Sequence, residues 1–423
     1  MKTALTELVQ QATWGKEVEQ ILRACMHCGF CTAVCPTYQL LGNELDSPRG
    51  RIYLIKSYLE GNPVGLETQR HLDLCLTCRA CETACPSGVQ YGRLLDIGRN
   101  LIEEQLTRPL KPRLWRWIVR AILSHPRRFN TLLDIGRIFH LSLPKTLREK
   151  IPPLIKTADW PVPNHTRHMM VLEGCVQPSL VPTINVATAR VLDRLGISLL
   201  RTSVGCCGAL NYHLGAQAEA LNQMRRMIDE WWPCLETGTE AIVITASGCG
   251  TLVKDYGYLL RDDPQYADKA DRVSELTFDV SEILIKENIS ALLPSTPPPH
   301  STKKVALHIP CSLRHGQKQE GLIESLLTQF GFELTAVADN FTCCGSAGAY
   351  SILYPTISQP LRENKLTALQ AGEPQVIATA NIGCQIHLQS QSSIPVRHWI
   401  ELIADRLDNR LLVSQRKKPT LQK

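Results

Sequence analysis

The spacing of hydrophobic residues divides the chain into two parts. Up to about residue 105 the apolar positions recur every three or four residues, which predicts helices. From about residue 167 onward, short apolar runs alternate with helical stretches, which is typical of parallel strands covered by helices. The predicted fold class is therefore α+β or α/β, with a helical domain followed by two repeated α/β units.

Three helical stretches are predicted in the first part. Residues 1–23 are expected to form one amphipathic helix. A second helix is expected to begin at Ser47-Pro48, a capping serine followed by a proline suited to the first helical position, and to end near Gly61. A third is expected to end at about Gln105.

The second part is an internal repeat. In the first copy, the predicted strands His168–Leu172 and Ala241–Thr245 each lead to a Gly-Cys pair, and the corresponding strands of the second copy are Val305–Ile309 and Val376–Thr379. Each copy also contains Cys-Cys-Gly at a predicted turn, and the cysteines of the two copies are offset by 135 to 137 positions. Cysteines at the ends of parallel strands lie where open α/β sheets bind ligands.

These patterns predict five segments. They are residues 1–105, a two-cluster ferredoxin-type domain; 106–166, a basic helical linker rich in proline at its end; 167–290, the first cysteine-rich repeat; 304–408, the second; and 409–423, a basic tail.

Composition restricts the class of protein. The first twenty residues lack the apolar segment of a signal peptide, so we expect a reducing compartment in which the 17 cysteines act as ligands rather than disulfides. No apolar stretch approaches the roughly 20 residues that span a bilayer. The formal charge of +6 gives little support to nucleic-acid binding, since two bound clusters would bring it to about +2.

Two cysteine runs carry the strongest chemical signal. The pattern Cys-x-x-Cys-x-x-Cys-x-x-x-Cys-Pro occurs twice, 50 positions apart, and matches the ligand run of two-cluster ferredoxins. In that arrangement three cysteines of a run hold one [4Fe-4S] cubane and the fourth crosses to the other. The predicted ligands are Cys25, Cys28, Cys31 and Cys85 for cluster 1, and Cys75, Cys78, Cys81 and Cys35 for cluster 2. Zinc is the rival metal, but zinc sites generally show paired motifs.

Arg49 and Arg51 follow the capping serine between the two runs. One interpretation places them beside the anionic clusters, whose potentials they would tune. We favour the other, in which both are exposed residues of the helix.

The repeats contain a second set of cysteines. They are Cys175, Cys206, Cys207 and Cys249 in the first copy, and Cys311, Cys343, Cys344 and Cys384 in the second. Four thiolates per copy can hold a third iron–sulfur cluster, take part in thiol redox chemistry, or remain as a structural relic; the first interpretation is favoured. Cys234 has no counterpart in the other copy and is interpreted as a core residue.

A basic segment with interleaved aromatic residues lies between the two parts. Residues 108–137 carry eight basic side chains and one acidic side chain, with Trp115 and Trp117 among them. Such a segment suits peripheral contact with an anionic membrane, docking on a partner subunit, or a solvated helix whose aromatic residues cover a core.

The cysteine runs followed by two Cys-Cys-Gly repeats resemble a family of electron-transfer subunits. It includes the iron–sulfur subunit of glycolate oxidase, the C subunit of anaerobic glycerol-3-phosphate dehydrogenase, the lactate-utilisation iron–sulfur protein and the heterodisulfide reductase B subunit. The stretches most similar to the glycolate oxidase subunit are Leu22–Thr32, Pro36–Gly42, Ser47–Lys56, Leu172–Cys175, Ala187–Gly196, Thr245–Gly250 and Thr379–Gln385. Heterodisulfide reductase has one more cysteine per repeat, where this chain carries Leu252 and His387; His387 is interpreted as a hydrogen-bonding neighbour rather than a ligand.

The resemblance implies an iron–sulfur subunit that takes electrons from FAD-containing partner subunits, which oxidise glycolate to glyoxylate, and passes them to quinone or another respiratory acceptor at the cytoplasmic face of the inner membrane. The chain itself shows no dinucleotide-binding turn or phosphate-binding loop, which agrees with catalysis on a partner. The alternatives are service to a lactate or glycerol-3-phosphate dehydrogenase, catalytic disulfide reduction at the Cys-Cys-Gly sites, and a scaffold that delivers clusters.

Overall fold

The N-terminal part is helical, as the pattern of apolar residues predicts. The computed structural model describes residues 1–139, 142, 153–155, 157–202, 205–287, 289–293 and 303–416. The helices of the N-terminal part are Glu7–Gln11, Gly15–Ala24, Phe30–Ala33, Pro36–Leu41, Pro48–Leu59, Leu66–Asp73, Ala80–Thr83 and Tyr91–Gln105, with a 3₁₀ turn at Glu44–Asp46.

The first predicted helix is divided in two. Ala12 has extended backbone angles (φ −67°, ψ 147°), so the chain turns between Glu7–Gln11 and Gly15–Ala24. Gly15 has no side chain to collide with the Val9 carbonyl, which allows this close approach. The prediction of one continuous helix over residues 1–23 was therefore wrong.

The helix after Ser47 forms as predicted. The Ser47 hydroxyl accepts a hydrogen bond from the Gly50 amide, and Pro48 occupies the first turn. Its apolar face, including Ile55 and Leu59, is buried in a core shared with Leu94. This core holds the loops that carry the cysteine runs.

Each repeat contains a parallel sheet, as predicted, and each sheet has four strands. The strands of the first repeat are β1 (Arg167–Leu172), β2 (Ile197–Arg201), β3 (Ile242–Ile244) and β4 (Thr277–Asp279), and those of the second are β5 (Lys304–His308), β6 (Glu333–Leu334), β7 (Val376–Thr379) and β8 (Val396–His398). The sheet orders are β2-β1-β3-β4 and β6-β5-β7-β8. Strands β4, β6 and β8 were not predicted from the sequence, because they are runs of two or three residues that lead to no Gly-Cys pair.

Helices surround both sheets. From the linker onward they are Leu110–Leu123, Pro126–Ile138, Gln177–Leu180, Thr183–Asp193, Ala209–His213, Gln217–Glu236, Ser247–Lys254, Tyr256–Leu259, Ala267–Glu275, Val280–Lys286, Leu322–Gln329, Tyr350–Leu353, Pro355–Gln370, Ile382–Gln389 and Trp399–Arg416, with a 3₁₀ turn at Ile289–Leu292 and a π-helical turn at Ser312–Gly316. The last helix extends beyond Asp408, where we expected the basic tail to begin. Pro152, the prolines of the linker between the repeats (Pro294, Pro297, Pro298 and Pro299), and residues 417–423 lie outside the described residues.

The two repeats share one core and meet at the ends of their strands. Val191 in the first repeat and Ile403 in the last helix belong to the same buried cluster. His398 Nε2 lies 3.0 Å from the Thr245 carbonyl oxygen, and the Ser247 and Ser312 hydroxyls are 2.8 Å apart. The strand ends that carry cysteines are thus held in fixed relative positions.

The N-terminal part packs against both repeats. The Tyr350 hydroxyl of the second repeat donates to the Leu74 carbonyl (2.9 Å), and the Tyr258 hydroxyl of the first donates to Glu17 (2.7 Å). The contact with the second repeat occurs directly before Cys75, so it brings a ferredoxin-type loop against that repeat.

Candidate metal centres

The cysteines of the two runs surround two neighbouring cavities. Cys25, Cys28, Cys31 and Cys85 line the first cavity, together with Cys81. The chain thus brings the fourth cysteine of the second run to the first three cysteines of the first run.

The second cavity shows the reciprocal arrangement. It is lined by Cys75, Cys78 and Cys81 of the second run and by Cys35 of the first. The four predicted ligands present in each cavity match the donor set of a [4Fe-4S] cubane, and all 17 cysteines of the chain are free. The residues present therefore fit two clusters.

Both loops bend in the same unusual way. The residue before the second cysteine of each run has positive φ (His27 56°, Thr77 51°), and so does the residue after it (Gly29 87°, Arg79 59°). Three of these four residues carry side chains, which disfavour left-handed angles. Such strain persists only when the surroundings impose it, and it is frequent at functional sites.

Burial raises the pKa of three of these thiols, those of Cys31, Cys78 and Cys81. Burial raises the pKa of the Cys78 thiol well above its usual range, and neighbouring Cys311 and Cys75 raise it further. Burial also raises the pKa of Cys81, with Cys78 the next cause. Both thiols are therefore protonated without metal, and metal binding must release their protons.

Arg51 is fully buried, so the favoured interpretation of this residue as exposed was wrong. It lines the second cavity, and its Nε donates to the His71 carbonyl oxygen at 2.7 Å. Its terminal nitrogens both lie 3.2 Å from Thr37 Oγ1, and one lies 3.6 Å from Asp46. Thr37 Oγ1 is in turn 3.3 Å from the Cys35 sulfur. Arg51 thus places a positive charge beside the second cavity.

Arg49 lies beside the first cavity and is partly exposed. Its side chain is 34% exposed and bonds Glu44 at 2.8 Å. The two arginines of this helix therefore line different cavities: Arg51 is buried beside the second, and Arg49 is partly exposed beside the first.

Each repeat also brings its four cysteines together. In the second repeat the sulfurs of Cys311 and Cys343 are 3.9 Å apart, and Cys343, Cys344 and Cys384 follow in one chain of interacting thiols. The same order holds in the first repeat, where Cys175 interacts with Cys206, Cys206 with Cys207, and Cys207 with Cys249. Cys234 is not among the thiols that interact in this way and packs against the core of the first repeat, as expected.

The glycine of each Cys-Cys-Gly turn is required by its backbone. Gly208 and Gly345 have φ of 93° and 86°. A Cβ atom on Gly345 would lie 2.6 Å from the Ser358 carbonyl oxygen. Glycine therefore allows the turn to pack against the following helix and fixes the direction of both cysteines.

The surroundings of the two sets differ in polarity. In the second repeat, the Asn381 amide donates to the Cys384 sulfur at 3.5 Å, and buried Lys365 raises the positive potential near Cys343 and Cys344. His308 is also buried there; burial lowers its pKa to about 3, with Lys365 the next cause, so the imidazole is neutral. None of these three residues was predicted from the sequence, although each replaces an apolar residue of the first copy.

The hydrogen bond of His387 is made with a serine rather than with a cysteine. Its Nε2 lies 3.0 Å from the Ser358 hydroxyl. This agrees with the interpretation of His387 as a hydrogen-bonding neighbour.

The second cavity adjoins the cysteines of the second repeat. Cys78, Cys311 and Cys343 lie in the same cluster of packed residues, which also contains Tyr350. The two cavities and the cysteine set of the second repeat therefore adjoin one another in a row, because Cys81 borders both cavities and Cys78 packs with Cys311 and Cys343.

Comparison with known proteins agrees with this arrangement. The 4Fe-4S dicluster domain family matches residues 21–89, and the cysteine-rich domain family matches residues 169–254 and 305–389. The chain therefore carries two [4Fe-4S] clusters, and its cysteine-rich domains fit an additional one. In the described part of the chain, no helix has both the length and the apolar character needed to cross a membrane.

Similar proteins extend over nearly the whole chain. The glycolate oxidase iron-sulfur subunit of Escherichia coli K12 is 52% identical over 96% of this chain and 100% of its own length. The probable glycolate oxidase iron-sulfur subunit of Bacillus subtilis 168 is 29% identical over 86% of this chain and 88% of its own. Lactate utilization protein A of Bacillus subtilis 168 is 25% identical over 55% of this chain and 97% of its own. The chain belongs to the family of glycolate oxidase iron–sulfur subunits.

Proposed function

We propose that this protein is the electron-transfer subunit of a glycolate oxidase complex. Partner subunits that contain FAD would oxidise glycolate to glyoxylate, and this chain would pass the electrons to a respiratory acceptor, quinone. The row of three thiol sites carries this proposal, since it provides closely spaced positions for one-electron carriers. The 52% identity to a glycolate oxidase iron-sulfur subunit over that protein's full length favours glycolate over lactate as the substrate.

The two cavities support the crossed assignment of ligands. The first cluster would be held by Cys25, Cys28, Cys31 and Cys85, and the second cluster by Cys75, Cys78, Cys81 and Cys35. Each set lines its own cavity. When bound, each cluster supplies reversible one-electron chemistry at a potential set by nearby charge, hydrogen bonds and burial.

The second repeat is the proposed place of a third centre. Its cysteines, Cys311, Cys343, Cys344 and Cys384, adjoin the second cavity through Cys78. The corresponding set in the first repeat, Cys175, Cys206, Cys207 and Cys249, is a weaker candidate, because Leu172 and Ala246 stand there in place of His308 and Asn381.

The complex itself provides the test of this function. Tagged protein isolated anaerobically with its native partners should contain a flavoprotein, and adding glycolate should produce the EPR signals of reduced clusters. The same addition to the isolated chain should produce none, because the substrate is oxidised on the partner. Recovery with a flavoprotein that responds to lactate or glycerol 3-phosphate, and not to glycolate, would contradict the proposal.

The exposed face of the basic segment is the proposed membrane contact. Leu110, Leu114 and Trp117 lie on one face of the helix Leu110–Leu123 and are 81%, 57% and 56% exposed. Lys111, Arg113, Arg127 and Arg128 are exposed nearby. Apolar side chains flanked by positive charges suit the anionic cytoplasmic face of the inner membrane.

Replacing Leu114 and Trp117 together with alanine should weaken binding to anionic vesicles by about tenfold or more, because two large apolar contacts are lost. Cosedimentation with phosphatidylglycerol vesicles measures the effect. Trp232→Ala, a partly exposed tryptophan in the first repeat, is the matched control and should bind like the unaltered protein. Equal binding by all three proteins would exclude this face as the contact.

A further inference from the structure

The second repeat contains a buried histidine, His308, whose Nε2 has no hydrogen-bond partner among the described residues. His308 ends strand β5, three residues before Cys311, and is 1% exposed. Its Nδ1 lies 3.0 Å from the Thr379 hydroxyl. A buried imidazole nitrogen without a partner is unusual, because buried polar groups are nearly always satisfied.

The unpartnered nitrogen belongs to a compact group of potential ligands. One ligand atom each from His308, Cys344 and Cys384 lies within 4.8 Å of the others, and all three residues are buried. Imidazole nitrogen and thiolate sulfur are both ligands of iron and zinc.

A comparison with His398 separates this arrangement from an ordinary core histidine. His398 lies at the corresponding end of strand β8 and is fully buried. Both of its nitrogens have partners, Nε2 at the Thr245 carbonyl oxygen and Nδ1 at the Ile400 amide. His308 is equally buried but leaves one nitrogen free beside two thiols.

The first repeat lacks this nitrogen. Counted from the first cysteine of each repeat, the position of His308 is occupied by Leu172; counted from the last cysteine, that of Asn381 is occupied by Ala246. The helix that carries Lys365 in the second repeat carries Met227 and Ile228 at the corresponding turn of the first. Both repeats contain the four cysteines. His308 is therefore an additional potential ligand that the first repeat does not have.

We propose that His308 is a nitrogen ligand of an iron–sulfur centre in the second repeat, and that it completes a mixed histidine–cysteine site with Cys344 and Cys384. Thr379 would accept a hydrogen bond from Nδ1–H, which leaves Nε2 free to bind metal and fixes the orientation of the ring. Cys311 and Cys343 extend the site toward Cys78. This inference rests on the proposal that the second repeat holds a centre of its own.

Pulsed EPR on the complete complex tests the nitrogen ligand directly. Protein in which histidine is labelled with ¹⁵N should show a strongly coupled nitrogen in the signal of the third centre and none in those of the first and second clusters. His308→Leu, which reproduces the residue of the first repeat, should lose this coupling and one cluster's content of iron. His387→Gln is the matched control, since His387 lies in the same repeat with its Nε2 satisfied, and it should retain both.

A second variant separates ligation from folding. His308→Cys offers a thiolate in place of the imidazole, so it should restore the iron content without the nitrogen coupling and with a lower reduction potential. Unchanged signals of the first and second clusters in each variant show that the protein has folded.

The inference would be overturned by a third centre without strongly coupled nitrogen, by a His308→Leu protein that keeps the coupling and the iron, or by zinc in this site. Absence of a third centre would also overturn it. If the first and second clusters were still reduced by glycolate in that case, the proposed function would stand.

Discussion

Replacing Cys35 with serine is expected to destroy the second cluster and to leave the first cluster intact. Cys35 is close in sequence to the ligands proposed for the first cluster, but its side chain lines the second cavity. A serine hydroxyl is a much weaker ligand for iron than a thiolate, so the second cluster would lose one of its four corners. Iron and acid-labile sulfide should fall by one cluster's content, and EPR of the reduced protein should lose one of the two ferredoxin-type signals.

The reciprocal variant provides the control. Cys85 belongs to the second run but lines the first cavity, so Cys85→Ser should remove the other signal. Loss of the first cluster in the Cys35→Ser protein, with the second cluster retained, would refute the crossed arrangement. Cys234→Ser should remove neither signal, since Cys234 packs against the core of the first repeat.

The sequence identifies these cysteines as candidate ligands because they follow a local rule. The spacing within each run and the proline after the fourth cysteine are visible in a single sequence. The parallel sheets were predictable for a similar reason, since β1, β5 and β7 are apolar runs followed by cysteines. Short strands such as β4 and the break at Ala12 depend on tertiary packing, which the spacing of apolar residues along the sequence does not reveal.

The burial of a charged residue was the main feature that the sequence did not predict. A sequence shows Arg51 as one of two arginines in a helix, and charged residues are almost never fully buried unless they are paired. Only the fold brings Thr37, Asp46 and the His71 carbonyl around it. His308 was missed because its significance depends on Cys344 and Cys384, which lie 36 and 76 positions away in the chain and meet it only at the sheet edge.

Arg51→Met should destabilise the protein by about 3–5 kcal/mol, because it leaves the buried carboxylate of Asp46 without its arginine. His71 Nδ1 would remain 2.8 Å from that carboxylate, and the His71 carbonyl oxygen would lose its donor. Anaerobic denaturation in urea, followed by the visible absorption of the clusters, measures the change. The matched variant Arg49→Met removes a partly exposed ion pair with Glu44 and should cost less than about 1 kcal/mol.

The same pair of variants should separate the potentials of the two clusters. A positive charge stabilises the reduced, more negative form of a nearby cluster, so its removal lowers the reduction potential. Arg51 lines the second cavity and Arg49 the first, so each methionine variant should lower mainly the potential of its own cluster. Arg51→Lys keeps the charge but has fewer donors, so it should lose stability while leaving the potential near its original value. Equal shifts of both potentials in redox titrations of the Arg51→Met protein would show that this charge acts through the general field of the protein rather than through its place beside Cys35 and Cys75.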